Sequence, residues 1–146
     1  MNTIILIGLP ASGKSTYAEE IKNDNTIVLS SDSIRKEIYG DESIQGNPKE
    51  IFDILYSRMR SALSENKDVI VDATNINIRD RSLAINIAKE FNSYIKAVVF
   101  TTSIEECKER NLKRERVVPD FVYDRMTSKF EEPTLEEGFD DIITFK

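Results

Sequence analysis

Short apolar runs alternate along the chain with longer stretches whose apolar residues recur every three or four positions. Ile4–Ile7, Ile27–Leu29, Val69–Val71, Ala97–Phe100 and Ile142–Phe145 are brief and rich in β-branched residues, the pattern of buried strands in a parallel sheet. Ser15–Ile21 reads as a helical segment directly after the first run. Residues 48–66 set Ile51, Phe52, Leu55, Met59, Ala62 and Leu63 on one helical stripe, with Asn47 as N-cap and Pro48 at the first helical position. Residues 78–90 carry Ile78, Leu83, Ile85, Ile87 and Ala88 in a mixed apolar pattern. Ser103-Ile104-Glu105-Glu106 has the spacing of a capping box and opens a helix predicted from Cys107 to about Arg114. A last helix is predicted over Phe121–Phe130, after Pro119. Tyr39–Gly46 reads as a polar loop. Alternating strands and helices predict an α/β fold with a parallel sheet.

Composition narrows the chemistry. The chain has 146 residues, 20 Lys+Arg against 26 Asp+Glu, a net charge of −6, no His and one Cys. That length predicts one domain over residues 1–146. A single cysteine forms no internal disulfide, and Cys107 is expected as a small buried hydrophobe in a reducing compartment. Without His, Ser-His-Asp and Cys-His catalysis are excluded, as is zinc-finger spacing. Acid–base work then falls to a carboxylate, Lys, Tyr or Cys. No leader-like segment and no membrane-length apolar run is present, so a cytoplasmic protein is expected. An acidic total disfavours broad coating of DNA but permits a locally basic groove. Charge is uneven: residues 108–116 hold five basic and two acidic residues, whereas 131–141 hold no basic residue. Phe and Tyr are scattered rather than clustered with basic residues, so no stacking platform for bases is expected.

Gly8-Leu9-Pro10-Ala11-Ser12-Gly13-Lys14-Ser15 matches the phosphate-loop pattern G-x-x-x-x-G-K-[ST], between a predicted strand and a predicted helix. Backbone N–H groups of Gly8, Ala11, Ser12, Gly13 and the residues up to Thr16 would face phosphate oxygens at a helix N-terminus. Lys14 would reach the β- and γ-phosphates of ATP, and the Ser15 hydroxyl would ligate Mg²⁺. Asp32 and Arg35, after the second strand, share a face if the segment is helical. There Asp32 serves as general base and Arg35 clamps an anionic acceptor. The plainer alternative is a helix capped by Ser31 or Asp32, with Arg35 a solvated charge. Asp72, ending the third strand, matches a carboxylate that holds Mg²⁺ through water, or else hydrogen-bonds a turn with Asn75. The helix after Asn75 bears Arg79 and Arg81. Arg110 and Arg114, four residues apart in the basic segment, suit an arginine lid over ATP, or an ordinary solvated helix face.

Together these residues resemble the polynucleotide 5′-hydroxyl kinase domain of phage, bacterial and mammalian end-healing enzymes. The resemblance rests on the phosphate loop, Ser31-Asp32 with Arg35, Asp72-Ala73-Thr74-Asn75 with Arg81, Glu109-Arg110-Asn111 with Arg114, and the run Phe130–Phe139. It implies an adenylate-kinase-like, five-stranded parallel sheet with a helical lid near 108–120. By this resemblance Asp32 deprotonates a 5′-OH of RNA or DNA, Arg35 contacts the phosphate on its 3′ side, and Arg114 contacts the ATP phosphates. Arg110 and Arg116 are implied on the ATP side, and Thr74, Asn75 and Arg81 on the acceptor side. Ala11 stands where Gly is frequent, and Arg116 lies unusually close to Arg114. No phosphatase signature occurs, so a kinase acting alone is expected. The alternatives are a kinase for a small metabolite or nucleotide, and a nucleotide-binding switch with weak ATPase activity.

Overall fold

A computed structural model describes residues 1–41, 46–114 and 116–145. Its chain order is β1 (Asn2–Ile7), α1 (Lys14–Ile21), β2 (Thr26–Ser30), α2 (Ser31–Tyr39), α3 (Pro48–Ser64), β3 (Asp68–Asp72), α4 (Ile78–Glu90), β4 (Tyr94–Phe100), α5 (Ile104–Asn111), α6 (Asp120–Lys129), a 3₁₀ turn (Leu135–Glu137) and β5 (Asp141–Phe145). The five strands form one sheet in the order β2-β3-β1-β4-β5, and every pairing is parallel. All five predicted strands are present, each extended by one to three residues. Residues 42–45 of the predicted Tyr39–Gly46 loop, and Glu115 within the predicted lid, lie outside the described residues.

Strand residues alternate between two cores, as a period of two requires. Ile5, Ile7, Val69, Val71, Ala97 and Val99 face one side, where Ile51, Leu55 and Met59 of α3 and Ile85 and Ala88 of α4 cover them. Leu6, Ile70, Val98 and Phe100 face the other, against Ala18 of α1. A third small cluster joins Cys107, Val118 and Tyr123 beneath the α5–α6 connection. Among the described residues no helix is long and apolar enough to cross a membrane.

Helix ends follow local chemistry. Asn47 caps α3 by accepting from Lys49 N, with Pro48 at the first position. Ser103 caps α5 by accepting from Glu106 N, but the Glu106 carboxylate pairs with Arg110 instead of closing the capping box. The helix from Ser31 to Tyr39 was legible only as a possibility, since few of its residues are apolar. Its N-cap is Ser30, which accepts from Ser33 N, not Ser31 or Asp32. Helix α5 ends at Asn111, short of the predicted Arg114. Asn111 is buried and bonds both backbone groups of Val118, donating to its carbonyl at 2.7 Å and accepting from its N–H at 2.9 Å. That two-point tie holds Val118 against the end of α5.

β1 is central, with β3 on one side and β4 on the other. The connections therefore run to opposite sides of β1, and it is outside the C-terminal ends of strands at such a switch that parallel α/β sheets open a crevice. Ser30 and Asp72 are register partners at that edge.

Candidate active site

The cleft at this edge has a volume of about 1020 Å³. One wall is the loop from Pro10 to Ser15; Asp32, Arg35, Asp72, Thr74 and the arginines 110, 114 and 116 line the rest. The loop's shape depends on residues with little or no side chain. Gly13 has φ 105°, open to glycine alone without strain. A Cβ on Gly8 would lie 2.7 Å from Ser12 Oγ and 3.0 Å from Phe100 Cβ. Ala11, the residue that stands where Gly is frequent, also adopts a left-handed φ of 63°. The loop is tied to the scaffold at three points. Gly8 N donates to Thr74 O, Thr102 Oγ1 donates to Ser12 O at 2.8 Å, and the buried Tyr123 hydroxyl donates to Pro10 O at 2.8 Å. Burial pushes the Tyr123 phenol up to about 12, so it stays a donor.

Lys14 is buried and donates to Leu9 O at 2.8 Å and Gly8 O at 3.1 Å. Burial pushes its ammonium down to about 8; nearby Asp72 pulls it back up, while Arg114 adds to the fall. The Ser15 hydroxyl donates to Asp72 Oδ2 at 2.7 Å. Burial pushes the Asp72 carboxyl upward, opposed by Lys14 and by the Ser15 hydrogen bond. This hydroxyl–carboxylate pair beside the phosphate loop fits Mg²⁺, which takes few protein ligands and fills its shell with water and substrate phosphates. Among the described residues no set of three His, Cys, Asp or Glu side chains forms an all-protein metal site.

Across the cleft, Asp32 gathers three arginines from two elements far apart in sequence. Arg35 Nη1 donates to its Oδ1 at 2.6 Å, Arg114 Nη2 to its Oδ2 at 2.8 Å, and Arg116 Nη1 to Oδ1 at 3.4 Å. The Asn111–Val118 tie delivers the last two. Arg110 and Arg114 therefore do not share a helix face, as their spacing suggested; Arg114 lies beyond the helix end, yet both reach the cleft. Arg110 pairs with Glu106 at 2.6 Å, and its Nη1 would stand 3.8 Å from a Cβ on Gly13. Arg35 Nε and Arg114 Nη1 are buried with no hydrogen-bond partner. Buried unsatisfied donors are uncommon and call for an acceptor.

Two residues implied at the acceptor side sit elsewhere. Arg81 is 0% exposed, and each nitrogen of its guanidinium finds an acceptor within the molecule. It holds Glu137 by two bonds of 2.6 and 3.0 Å and donates to the carbonyls of Asn75 and Glu131 at 2.9 Å each. It fastens the C-terminal segment to α4 rather than facing the cleft. Asn75 is likewise buried, with a left-handed φ of 46°, and donates to Leu6 O and Ala73 O. Of that group only Thr74 lines the cleft. The acidic run after residue 130 is also partly structural: Glu131 accepts from Ile78 N and Asp140 from Ile95 N.

Thr102, Tyr123 and Arg125 were not anticipated in the sequence. Thr102 follows the strand beside β1, a placement the strand order alone would have suggested. Arg125 lines the cleft from α6.

Residues 3–133 match the AAA domain family. The bifunctional polynucleotide phosphatase/kinase of Schizosaccharomyces pombe is 30% identical over 156 residues, covering 98% of this chain and 33% of that protein. The L-seryl-tRNA(Sec) kinase of Methanococcus maripaludis is 31% identical over 144 residues, covering 94% of this chain and 55% of that one. A chain from the solved structure of the Pnkp1/Rnl/Hen1 RNA repair complex superposes with a TM-score of 0.75 at 26% identity, over 88% of this chain and 43% of that chain. This chain thus spans from a third to just over half of the curated relatives it matches. With the phosphate loop, the all-parallel five-stranded sheet and these matches together, the chain belongs to the AAA domain family and has the fold of its P-loop kinases.

Proposed function

We propose that the chain is an ATP-dependent phosphotransferase whose acceptor is the 5′-hydroxyl end of a nucleic acid. The observation that carries this reading is the pair of unmet donors, Arg35 Nε and Arg114 Nη1, flanking the Asp32 carboxylate opposite the phosphate loop. A carboxylate beside an unsatisfied buried arginine suits an alcohol that carries an anion close to its hydroxyl. A 5′-OH nucleotide with a 3′-phosphate has that form; a plain sugar does not. The names of two relatives, a polynucleotide kinase and a seryl-tRNA kinase, support an acceptor attached to nucleic acid.

In this reading Lys14 and the loop N–H groups hold the triphosphate, and Arg110 closes over it. Arg114 exchanges its bond to Asp32 Oδ2 for a phosphate oxygen, and Oδ2 then accepts the hydroxyl proton. The acceptor oxygen forms its bond to the γ-phosphorus as the bond to the β-bridging oxygen breaks, and ADP leaves. Ser15 and Asp72 would hold Mg²⁺, which neutralises phosphate charge when bound. Arg35 grips the acceptor phosphate, and catalysis comes mostly from positioning and electrostatics.

The test is an acceptor panel with γ-labelled ATP: 5′-OH oligonucleotides, a 3′-mononucleotide, the matching nucleoside and common metabolite alcohols. Label is expected on the oligonucleotides and the 3′-mononucleotide, with the nucleoside far poorer. Asp32→Asn should retain ATP binding and lose roughly 10²–10⁴ in transfer rate. Unreduced transfer by that variant, or a wild type that labels only metabolite alcohols, would overturn the assignment.

A further inference from the structure

Nine arginines occur in the chain, and their pairing is selective. Arg58 and Arg60 hold Glu37 and Glu90, Arg81 holds Glu137, Arg110 holds Glu106, and Arg35, Arg114 and Arg116 meet at Asp32. Among the described residues only Arg79 and Arg125 have no carboxylate partner, and both line the same second cavity. It has a volume of about 520 Å³ and lies between the start of α4 and the face of α6. Lys129 adds a third positive charge to its wall, and Asp80 is its one acid. Val122, Arg125 and Met126 belong to this cavity and to the reaction cleft alike. The two cavities therefore adjoin at α6, which contributes to the walls of both.

An aromatic ring stands at the same place. Phe121 is 63% exposed, and the Arg125 guanidinium lies over it, 5.4 Å from the ring centroid. One aromatic residue does meet a basic one: Phe121 and Arg125 are four apart on α6 and share its face. Exposed rings beside basic side chains stack bases without regard to sequence.

We propose that this Arg79–Arg125–Lys129 groove binds backbone phosphate of a single-stranded acceptor beyond the phosphate held by Arg35, so that the enzyme favours strands over mononucleotides. The proposal rests on the nucleic-acid reading above and deepens it. In a chain of net charge −6, a basic trio offset by Asp80 alone, beside the cleft, draws in the strand that trails the reacting end.

The experiment measures kcat/KM for 5′-OH acceptors of increasing length, from a 3′-mononucleotide to an octanucleotide, as RNA and as DNA. The wild type is expected to gain at least tenfold from shortest to longest, chiefly in KM, in one or both series; the series that gains identifies the strand. Arg79→Ser with Lys129→Ser, both at exposed positions, should remove about tenfold for the octanucleotide and less than twofold for the mononucleotide. The variant's salt dependence on the longer acceptor should flatten by about 1.4 in log–log slope, the value for two lost single-strand phosphate contacts. A wild type indifferent to length, or a variant that loses equally on both acceptors, overturns the groove. Labelling of the mononucleotide with no length effect overturns the groove alone, whereas a wild type that labels no 5′-OH acceptor overturns the functional reading itself.

Discussion

Arg81 and Arg35 are both almost wholly buried, both follow a strand end, and both were implied at the acceptor by their place in sequence motifs. Their surroundings differ in one physical respect. Arg81 spends its donors on a bidentate carboxylate and two carbonyls, so that each of its three guanidinium nitrogens has an acceptor. Arg35 makes one short bond to Asp32, and its Nε has no acceptor. A saturated buried arginine holds the fold together, while an unsaturated one at a cleft is ready for a ligand. The same contrast separates the C-terminal clasp from the whole phosphate pocket, where a depressed lysine and a left-handed alanine add to the unmet donors.

The largest effect separating the two is thermodynamic. Arg81→Ala leaves the Glu137 carboxylate, itself 5% exposed, buried and unpaired. Breaking a buried pair in this way costs about 3–5 kcal/mol, a fall in Tm of roughly 10–15 °C for a chain of this size. Phosphotransfer per folded molecule, assayed well below the transition, should stay close to wild type. An unchanged Tm with transfer abolished would return Arg81 to the acceptor site and break the comparison.

Arg35→Ala should do the reverse. Asp32 keeps Arg114 and Arg116, and a buried donor without an acceptor is removed, so stability is expected to change by at most about 1 kcal/mol. The loss appears instead in kcat/KM for a 3′-phosphorylated acceptor. A charged hydrogen bond is worth about 1.5–3 kcal/mol, or roughly 10–200-fold. The nucleoside, lacking the phosphate, should lose much less. Equal losses on both acceptors would mean that Arg35 only orients Asp32.

What separates the two arginines was not visible in the sequence, because it depends on Glu137, 56 positions from Arg81. The strands were legible, since β-branched runs admit few alternatives. The phosphate loop, Asp32 and Asp72 were legible too, because a strand end fixes which edge of the sheet they occupy. Helix α2 was harder to read: of its nine residues only Ile34 and Arg35 are buried, too few to print a helical stripe. The basic segment misled in geometry alone. Asn111 looks like any polar residue of a charged helix, yet its bonds to Val118 end the helix and turn Arg114 and Arg116 onto Asp32. The Phe121–Arg125 spacing was present in the chain, but its importance depends on where α6 lies.

A third difference lies in pH response. Burial brings the Lys14 ammonium of the phosphate pocket down to about 8. A bound triphosphate adds negative charge beside Lys14 and raises its pKa, so the complex holds a proton that the free protein has lost above pH 8. Binding in that window takes up a proton, and affinity must therefore fall as pH rises. The slope should approach tenfold per pH unit, about 1.4 kcal/mol, and vanish below pH 7. Phosphate oxygens titrate near pH 6 and do not disturb the window. Nucleotide titrations at pH 7, 8, 9 and 9.5 read it directly; a flat profile would mean that Lys14 stays charged in the free pocket.

The smallest effect tests the backbone half of the contrast. At Ala11 the left-handed φ of 63° costs an L-residue about 1–2 kcal/mol that glycine escapes. Glycine gives back about 0.5–1 kcal/mol through its freer unfolded chain. Ala11→Gly should therefore be neutral to stabilising by up to about 1.5 kcal/mol. Ala84→Gly, at a buried position within α4, pays the helix penalty with no strain to relieve and should destabilise by about 1 kcal/mol. The informative quantity is the difference in sign between two identical replacements. If both destabilise equally, the phosphate loop is as relaxed as the clasp, and the division between a satisfied scaffold and an unsatisfied pocket fails at the backbone while surviving at the side chains.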